Sequence, residues 1–206
     1  MPDLPVSAAS LRNSEAILSV LRHELAGCRE VLEIGSGTGQ HAVHFSANMP
    51  DICWQTSDLD ENHEGINLHI ANSGLSNVKA PLGLDVRSAS PDGRLFDAVF
   101  TANTMHIMSF SAVEKMIPLV SSMLGKSALF CAYGPFRQDG RFSTQSNADF
   151  DASLRARDPE MGIRELEKID RIAESAGMHR QKCYAMPANN LLLVWQKKEG
   201  NSSDRT

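Results

Sequence analysis

The chain has 206 residues, of which 42% are hydrophobic and 22% are charged, as in an ordinary globular protein with one core. A formal net charge of −5 provides no overall positive field for a phosphate backbone, so nucleic acid is not an expected partner. No apolar run is long enough for a bilayer, and the N-terminal residues lack the apolar core of a signal peptide, so neither membrane insertion nor secretion is expected.

Cysteine usage indicates a reducing compartment. None of the four cysteines forms a C-x-x-C pair, and they lie far apart: Cys28, Cys53, Cys131 and Cys183. Free thiols in apolar strands behave as small hydrophobic residues, so neither a disulfide nor a metal is expected. We predict a cytoplasmic protein.

The first periodic pattern predicts a helix from Asn13 to Gly27. Asn13 or Ser14 is expected to cap its start, and Gly27 is placed to end it. Four apolar residues share one face of this helix: Ile17, Leu18, Leu21 and Leu25.

Strand and helix patterns then alternate five times. The predicted strands lie in "EVLEIG", "ICWQTSD", "VKAPLGLDV", the run from Ala98 to Ala102, and "KSALFCAYG". This alternation predicts an α/β fold with a mainly parallel sheet covered by helices on both faces. The helix in "SAVEKMIPLVSSMLG" is expected to be kinked or broken at Pro118.

Residues 136–161 interrupt the alternation and are polar, so we interpret them as a cover over the active site. A helix follows in "GIRELEKIDRIAESAG", and "HRQKCYAMPANNLLLVWQKK" predicts a hairpin that adds an antiparallel edge strand. We predict one domain over residues 1–198 and a disordered tail over residues 199–206.

A glycine-rich loop follows the first predicted strand, in "VLEIGSGTGQHAVHF". Gly35, Gly37 and Gly39 allow close approach of a ligand to the backbone, because no Cβ blocks it. Their spacing differs from the dinucleotide fingerprint G-x-G-x-x-G, in which the third glycine comes one residue later. The alternative is that these glycines only form a tight strand-to-helix turn.

The E/D-x-G-x-G-x-G pattern, with Glu33 as its acid, resembles the first motif of class I methyltransferases, which bind S-adenosyl-L-methionine. This resemblance implies a Rossmann-like fold with a seven-stranded sheet and S-adenosyl-L-homocysteine as product. It also implies that the acid and the loop, including Ser36, border the methionine half of the cofactor. Asp58 or Asp60 would bind the ribose hydroxyls. The adenine would lie between Leu59 and Val86, with Asp85 at its amine.

A narrower resemblance covers nearly the whole chain, from Arg12 to Trp195. "LRNSEAILSVL", "VLEIGSGTGQHAVHF", "DAVFTANTMHIMSF", "FDASLRARDPEMGIRE" and "MPANN" are similar to strings of the family called domain of unknown function 938, which includes methyltransferase-like protein 26. The family string implies that Arg12 and Asn13, placed before the first helix, approach the carboxylate of the cofactor. The resemblance supports the fold and the cofactor but says little about the substrate.

The end of the fourth strand carries the candidate catalytic residues. "TANTMHIM" places Asn103 and His106 there, and Thr101 beside them is a candidate cofactor ligand. Asn103 would accept a hydrogen bond from an amine or orient the cofactor. His106 is the preferred base because the charge of an imidazole changes near neutral pH, although a packing histidine is the alternative. His41 and His44 do not form a zinc site, since no third ligand lies near them in the sequence, but His41 is placed to border the cofactor.

Candidate substrate residues follow the fifth strand and occupy the cover and the final turn: Tyr133, Asn147, Arg155, Arg164, Asn189 and Asn190. Asp151 and Arg155 are spaced to pair one helical turn apart, and most charges of the cover are expected to form a solvated or self-paired surface. If Arg155 or Arg164 instead turns inward, it would bind a carboxylate or a phosphate of the acceptor. If the sixth strand runs parallel to the first five, the "MPANN" turn overlooks the mouth of the site. Its asparagines equally suit a plain hairpin turn.

Two functions fit these patterns. The first is an S-adenosyl-L-methionine-dependent methyltransferase that acts on a small polar acceptor. The second is a non-catalytic module that binds the same cofactor or a protein partner. The second draws on the absence of a base-methylating N-P-P-Y signature, since "TANTM" occupies that position. Neither the acceptor atom nor the oligomeric state follows from the sequence.

Overall fold

The computed structural model describes residues 4–199, so most of the tail predicted over residues 199–206 lies outside the described residues. Seven strands form one sheet in the order β3-β2-β1-β4-β5-β9-β8. The strands are β1 (Glu30–Ile34), β2 (Cys53–Asp58), β3 (Val78–Gly83), β4 (Phe96–Ala102), β5 (Leu124–Gly134), β8 (Met178–Met186) and β9 (Asn190–Lys197). Two short strands, β6 (Phe136–Arg137) and β7 (Arg164–Glu165), pair separately.

Helices cover the sheet between these strands. They are α1 (Ala8–Glu24), α2 (Gln40–Asn48), α3 (His63–Ser73), α4 (Phe110–Met123), α5 (Gln145–Arg157) and α6 (Leu166–Ser175). Two short 3-10 turns lie at Asp60–Asn62 and Pro187–Asn189. The fold is therefore the predicted Rossmann-like methyltransferase architecture, which confirms that part of the sequence analysis.

The carboxyl ends of the parallel strands lie together at one edge of the sheet. β1 pairs in parallel with both β2 and β4, so the carboxyl ends of the first five strands open in the same direction. Apolar residues lie on both faces of these strands and form two separate clusters, one beneath α4 and α6 and one beneath α1 and α2. Burial on both faces accounts for the nearly continuous apolar runs in the sequence.

The C-terminal hairpin is antiparallel, as predicted, but its antiparallel strand β9 lies inside the sheet and β8 forms the edge. β9 pairs antiparallel with β5, and β8 pairs antiparallel with β9. β8 consequently runs in the direction of the first five strands. The turn at Pro187–Asn189 therefore lies at the same edge as the loop after β1.

The first helix begins earlier than the sequence suggested. Ser7 is the N-cap, and its side chain accepts a hydrogen bond from the backbone of Ser10. Arg12 and Asn13 thus lie inside α1 rather than before it, and the predicted caps Asn13 and Ser14 are buried. Small residues between Ser7 and Ser10 carry little periodic signal, which explains the late prediction.

Two further boundaries differ from the expectation. Pro118 does not break α4, because the proline lies on the exposed side of a continuous helix, where water can bind the freed carbonyl of Glu114. α6 begins only at Leu166, since Arg164 and Glu165 pair with β6 instead.

Across residues 4–199, no helix has the length and apolar character needed to cross a bilayer. In the same range, no group of three or more histidine, cysteine, aspartate or glutamate side chains is placed to hold a metal ion.

Candidate functional site

A cleft of about 1860 Å³ opens at the carboxyl ends of the parallel strands. The loops after β1, β2, β3 and β4, the start of α1, the cover and the final hairpin turn all contribute to its wall. The wall contains fourteen of the predicted site residues: Arg12, Asn13, Gly35, Ser36, Gly37, Asp58, Leu59, Asp85, Val86, Asn103, His106, Tyr133, Asn147 and Asn190. Six others lie off it: Glu33, Gly39, Thr101, Arg155, Arg164 and Asn189.

The glycines of the loop after β1 have different surroundings. Gly37 has a φ of +59°, lines the cleft, and has open space where a Cβ would be. Gly35 also lines the cleft, and a Cβ there would lie 2.8 Å from the Thr104 hydroxyl. Gly39 instead packs against α3, where a Cβ would approach the Ile66 Cα to 3.1 Å. Gly39 therefore serves helix packing rather than the cleft.

The backbone of the loop is fixed by β2. The Ser57 carbonyl accepts hydrogen bonds from the amides of Gly35 and Ser36, each at 3.0 Å. α2 then begins after Gly39 without a side-chain cap, so its first-turn amides remain available to a ligand. Such a helix start favours negative charge.

Asp58 ties the loop to the second strand. Its Oδ2 accepts from the Gly37 amide at 2.6 Å, and its Oδ1 accepts from the Leu59 amide at 2.7 Å and from Asn62 Nδ2 at 2.8 Å. Asp58 lies on the cleft wall, whereas the side chain of Asp60 is 92% exposed beside His63. Of the two candidate ribose ligands, only Asp58 is positioned at the cleft.

Glu33 lies behind the loop and not in the cleft. It is buried, and its Oε2 accepts from the Ser36 hydroxyl at 3.0 Å and from Trp54 Nε1 at 3.2 Å. Burial raises the pKa of Glu33 to about 7, although these two hydrogen bonds oppose the rise. The position of Glu33 does not support direct contact with the cofactor, because Glu33 does not line the cleft and instead accepts from Ser36, which does.

The loops after β2 and β3 supply an apolar surface, and the loop after β3 also supplies a paired acid. Leu59 and Val86 both line the cleft, as an apolar sandwich for a flat ring requires. Asp85 forms a bidentate pair with Arg87, with distances of 2.8 Å to Oδ1 and 2.7 Å to Oδ2. Hydrogen bonds from Arg87 lower the pKa of Asp85, which stays ionised with lone pairs still available.

The end of β4 is held in an uncommon backbone conformation. Asn103 has a φ of +57°, and its amide donates to the Tyr133 carbonyl of β5 at 2.9 Å. Residues outside the common backbone regions often lie at functional sites. Thr101 faces the other way, since its hydroxyl donates to the Ile34 carbonyl and is buried between strands. Thr101 is therefore a strand contact rather than a cofactor ligand.

His106 lines the cleft but is largely enclosed by the cover. Its ring lies edge-on to Phe150, with centroids 5.5 Å apart. Burial and, to a lesser extent, the charge of Arg164 lower its pKa to about 4. The imidazole is thus neutral throughout the physiological range, which contradicts the expectation that its charge changes near neutral pH.

Arg164, which follows the cover, attaches it to the loop after β4, whereas Arg155 pairs within the cover. Arg164 donates to the Met105 carbonyl at 2.9 Å, to the Glu160 carbonyl at 2.8 Å and to the Met108 carbonyl. Arg155 pairs with Asp151 at 2.7 Å. Neither arginine lines the cleft, so the prediction that one of them binds an acceptor anion is not supported by their positions.

Asparagines join the cover to the hairpin turn. Asn147, which is buried on α5 and lines the cleft, donates to the Asn189 carbonyl at 3.2 Å. Asn189 thus positions Asn147 through its carbonyl and does not itself line the cleft. Asn190 lines the cleft and donates to the Tyr133 hydroxyl at 3.0 Å.

α1 also reaches the cleft and contacts α2 there. Asn13 Oδ1 lies 2.8 Å from His41 Nε2, and both residues line the wall. Burial lowers the pKa of His41 to about 4, so its imidazole is neutral. His44, in contrast, lies beside Glu15, with 3.2 Å between Nε2 and the carboxylate, and does not line the cleft.

Sequence reasoning missed several residues of the wall. Phe150 and Ile107 are 40% and 44% exposed although they are large and apolar, and both line the cleft. Asn62 orients Asp58 from one turn further along the chain. Phe150 is the only aromatic residue of α5, and this was the available signal.

Solved structures with the same fold are methyltransferases. An O-methyltransferase family protein from Burkholderia thailandensis matches with a TM-score of 0.81 and 17% identity, over 93% of this chain and 58% of that chain. Mitomycin 7-O-methyltransferase matches with a TM-score of 0.80 and 14% identity, over 92% and 54%. Human N-acetylserotonin methyltransferase, solved in complex with S-adenosylmethionine, matches with a TM-score of 0.79 and 13% identity, over 92% of this chain and 53% of that chain.

At these identities the likeness establishes the fold. The chain spans between one half and three fifths of the length of these proteins. A family model described as "Protein of unknown function (DUF938)" matches residues 4–197, nearly the whole chain. The chain therefore belongs to the DUF938 family, on a class I methyltransferase fold.

Proposed function

We propose that the protein is an S-adenosyl-L-methionine-dependent methyltransferase that acts on a small polar acceptor. The observation that carries this proposal is the wall formed by Gly35, Gly37 and Asp58, where open backbone and a buried carboxylate meet at the carboxyl edge of the sheet. Ligands of open α/β sheets bind at this edge. The cytoplasmic location stays a prediction.

The residues present fit this cofactor. Asp58 has acceptor capacity left for ribose hydroxyls after its three hydrogen bonds. Leu59 and Val86 would hold the adenine, and Asp85 would accept from its amine. The open side of Gly37 and the free amides of α2 would receive the methionine portion, with Arg12 and Asn13 near its carboxylate.

When bound, the cofactor supplies an electrophilic methyl group on a sulfonium. Such a displacement needs little acid catalysis, so the protein contributes mainly alignment and exclusion of water. Asn103 would orient the acceptor from the strained end of β4. His106, neutral at physiological pH, would accept a hydrogen bond from the acceptor, since an imidazole with a pKa of about 4 is a weak base. Phe150 closes the cleft above it.

A thermal-shift screen followed by a transfer assay tests the proposal. S-adenosylmethionine and S-adenosylhomocysteine should raise the melting temperature, and NAD should not. Purified protein incubated with methyl-labelled cofactor and fractionated cell extract should label one small-molecule fraction. The same extract with an Asn103→Ala variant should label it much more weakly. Binding without labelling of any fraction would favour the non-catalytic module instead.

A further inference from the structure

Two buried polar side chains face the part of the cleft between the cover and the loop after β4, which we call the acceptor half. Asn147 on α5 and His106 after β4 are each 6% exposed, and both line the cleft. Buried polar groups in proteins are nearly always hydrogen-bonded. Those atoms of the two side chains that lack a protein partner therefore indicate what a ligand must supply.

The amide of Asn147 has a fixed orientation. Its Nδ2 donates to the Asn189 carbonyl at 3.2 Å and to the Ser143 hydroxyl at 2.9 Å. A backbone carbonyl can only accept, so the amide nitrogen must face Asn189 and the amide oxygen must face away from it. Among residues 4–199, no donor bonds to Asn147 Oδ1, and this oxygen is not sealed inside the protein. The cleft therefore presents a free acceptor here, which suits a ligand N–H or O–H group.

His106 lies one aromatic contact away from this amide. Asn147 and Phe150 are three residues apart on α5, so they share one face of the helix and their Cβ atoms are about 5–6 Å apart. The Phe150 ring contacts the His106 ring, with centroids 5.5 Å apart. In the described part of the chain, neither ring nitrogen of His106 bonds to a protein group, and neither is fully enclosed. Asn147 and His106 are thus close enough for one small molecule to reach both.

The surface beside these polar groups is apolar and open. Phe150 and Ile107 line the cleft and are 40% and 44% exposed, which is high for large apolar side chains. Pro135 and Pro187 also line the cleft. Small-molecule sites typically combine such an apolar surface with a few convergent polar groups. An aromatic ligand suits this surface best, because aromatic rings pack favourably edge-on or offset against a ring such as Phe150.

The charges at this end of the cleft disfavour an anion. Asp158 and Glu160, at the end of the cover, both line the cleft. Arg155 and Arg164 do not line it, since Arg155 pairs with Asp151 and Arg164 bonds to backbone carbonyls. A carboxylate or a phosphate in the acceptor half would therefore meet two carboxylates of the same sign and no arginine from this segment.

We propose that the methyl acceptor is an aromatic molecule without an anionic group, whose N–H or O–H donor binds Asn147 Oδ1 while its ring packs on Phe150. The inference rests on the proposed function, because it assigns the substrate class of that same cleft. Asn147 is then a specificity-determining residue. It selects a ligand with a donor over the same ligand without one, since a buried acceptor left unpaired weakens binding.

Four small probes test this assignment in the wild type. With S-adenosylhomocysteine at saturation, NMR titration measures the affinity of each probe. Phenol should bind about tenfold more tightly than anisole, in which a methyl ether replaces the donor. Phenol should also bind more tightly than benzoate, which tests the charge, and than cyclohexanol, which tests the ring. Phenol that binds no more tightly than any one of these three overturns the inference.

Two variants assign the preference to Asn147. Asn147→Leu removes the acceptor, so phenol and anisole should bind this variant equally. Ser143→Ala is the matched control, because it removes one bond of the same amide, leaves Oδ1 in place and lies off the cleft wall. This control should keep the preference for phenol.

A preference that persists in Asn147→Leu overturns the inference, and the comparison of probes in the wild type decides it even if this variant does not fold. Failure of the wild type to bind S-adenosylhomocysteine overturns the proposed function itself. Binding of the nucleoside without any preference for phenol overturns only the inference.

Discussion

Asp58 both fixes the glycine loop and supplies a hydrogen-bond acceptor at the nucleoside end of the cleft. The Gly37 amide, the Leu59 amide and Asn62 Nδ2 all donate to it, and these donors come from three different segments. A carboxylate has about four acceptor positions, so one position remains for a ligand hydroxyl. The geometry of the glycine loop and the affinity for a ribose thus depend on the same side chain.

Asp58→Asn should weaken S-adenosylhomocysteine binding more than tenfold and lower the melting temperature. The amide turns one acceptor into a donor that faces either the Gly37 or the Leu59 amide, which disorders the loop. Asp60→Asn is the matched control, since that side chain is 92% exposed and off the cleft wall. Calorimetry and thermal melting measure the affinity and the melting temperature. Equal losses of both in the two variants would contradict the assignment of Asp58 as the ribose ligand.

Glu33→Gln should become more stable relative to the wild type as the pH rises from 4.5 to 7. The pKa of Glu33 rises from 4.5 to about 7 on folding, so its stabilising effect is complete below pH 4.5 and disappears as the pH approaches 7. Glutamine does not titrate, yet it keeps an acceptor for Ser36 and Trp54. Urea unfolding at pH 5 and pH 7 measures the difference in free energy of unfolding between the two proteins. The titration of His41 and His106 cancels from this difference, because both proteins contain these residues. A pH-independent difference would contradict a buried, protonated Glu33.

His106 should titrate near pH 4, with its neutral form present through the physiological range. Burial beneath Phe150 causes this low pKa, so Phe150→Ala should raise the pKa toward 6.5 by admitting water. NMR titration of the imidazole, assigned with a His106→Gln variant, measures both values. An unchanged midpoint in Phe150→Ala would show that the cover does not set the pKa.

The cover is an element whose position depends on one buried arginine. Arg164 bonds the carbonyls of Met105, Met108 and Glu160, and the Gly162 amide donates to the His106 carbonyl at 2.9 Å. These contacts attach the segment after α5 to the loop after β4. The cover and the candidate catalytic loop are therefore expected to move together.

Arg164→Met should destabilise the protein by roughly 2–4 kcal/mol, because it leaves three carbonyls without their charged donor. Chemical unfolding measures this loss. Arg157→Met provides the control, since Arg157 is exposed and its only side-chain contact among the described hydrogen bonds is with Met161. A loss below about 1 kcal/mol for Arg164→Met would mean that water replaces the arginine without cost.

The elements that the sequence predicted well are those with strong periodicity. β1, β4 and the C-terminal hairpin were recognisable because apolar runs end at glycine or at turn residues. The start of α1 was missed, since Ser7 to Ser10 are small residues without an apolar repeat. The pairing of Arg155 with Asp151 followed from their spacing of one helical turn. The contacts of Arg164 could not be predicted, because a charge in a polar segment does not reveal whether it faces a ligand or three backbone carbonyls.

At the scale of the whole molecule, the strand order explains why distant sequence motifs meet. The glycine loop follows β1, the carboxylate of Asp58 ends β2 and Asn103 follows β4, and these strands are neighbours in the sheet. Parallel strands bring such ends to one edge, so the nucleoside half of the cleft was predictable. The acceptor half depends on how the cover and the hairpin fold back, through long-range contacts such as Asn147 to Asn189, which no local pattern encodes.

The central claim is that this edge binds an S-adenosyl nucleoside, and calorimetric titration with S-adenosylhomocysteine tests it most directly. We predict saturable binding of one molecule per chain. Binding should be lost in Gly37→Val, which fills the open space beside the loop, and kept in Gly74→Val, a glycine of similar positive φ after α3 and off the cleft. No heat from folded wild-type protein at millimolar nucleoside, or equal effects of the two valines, would contradict the claim.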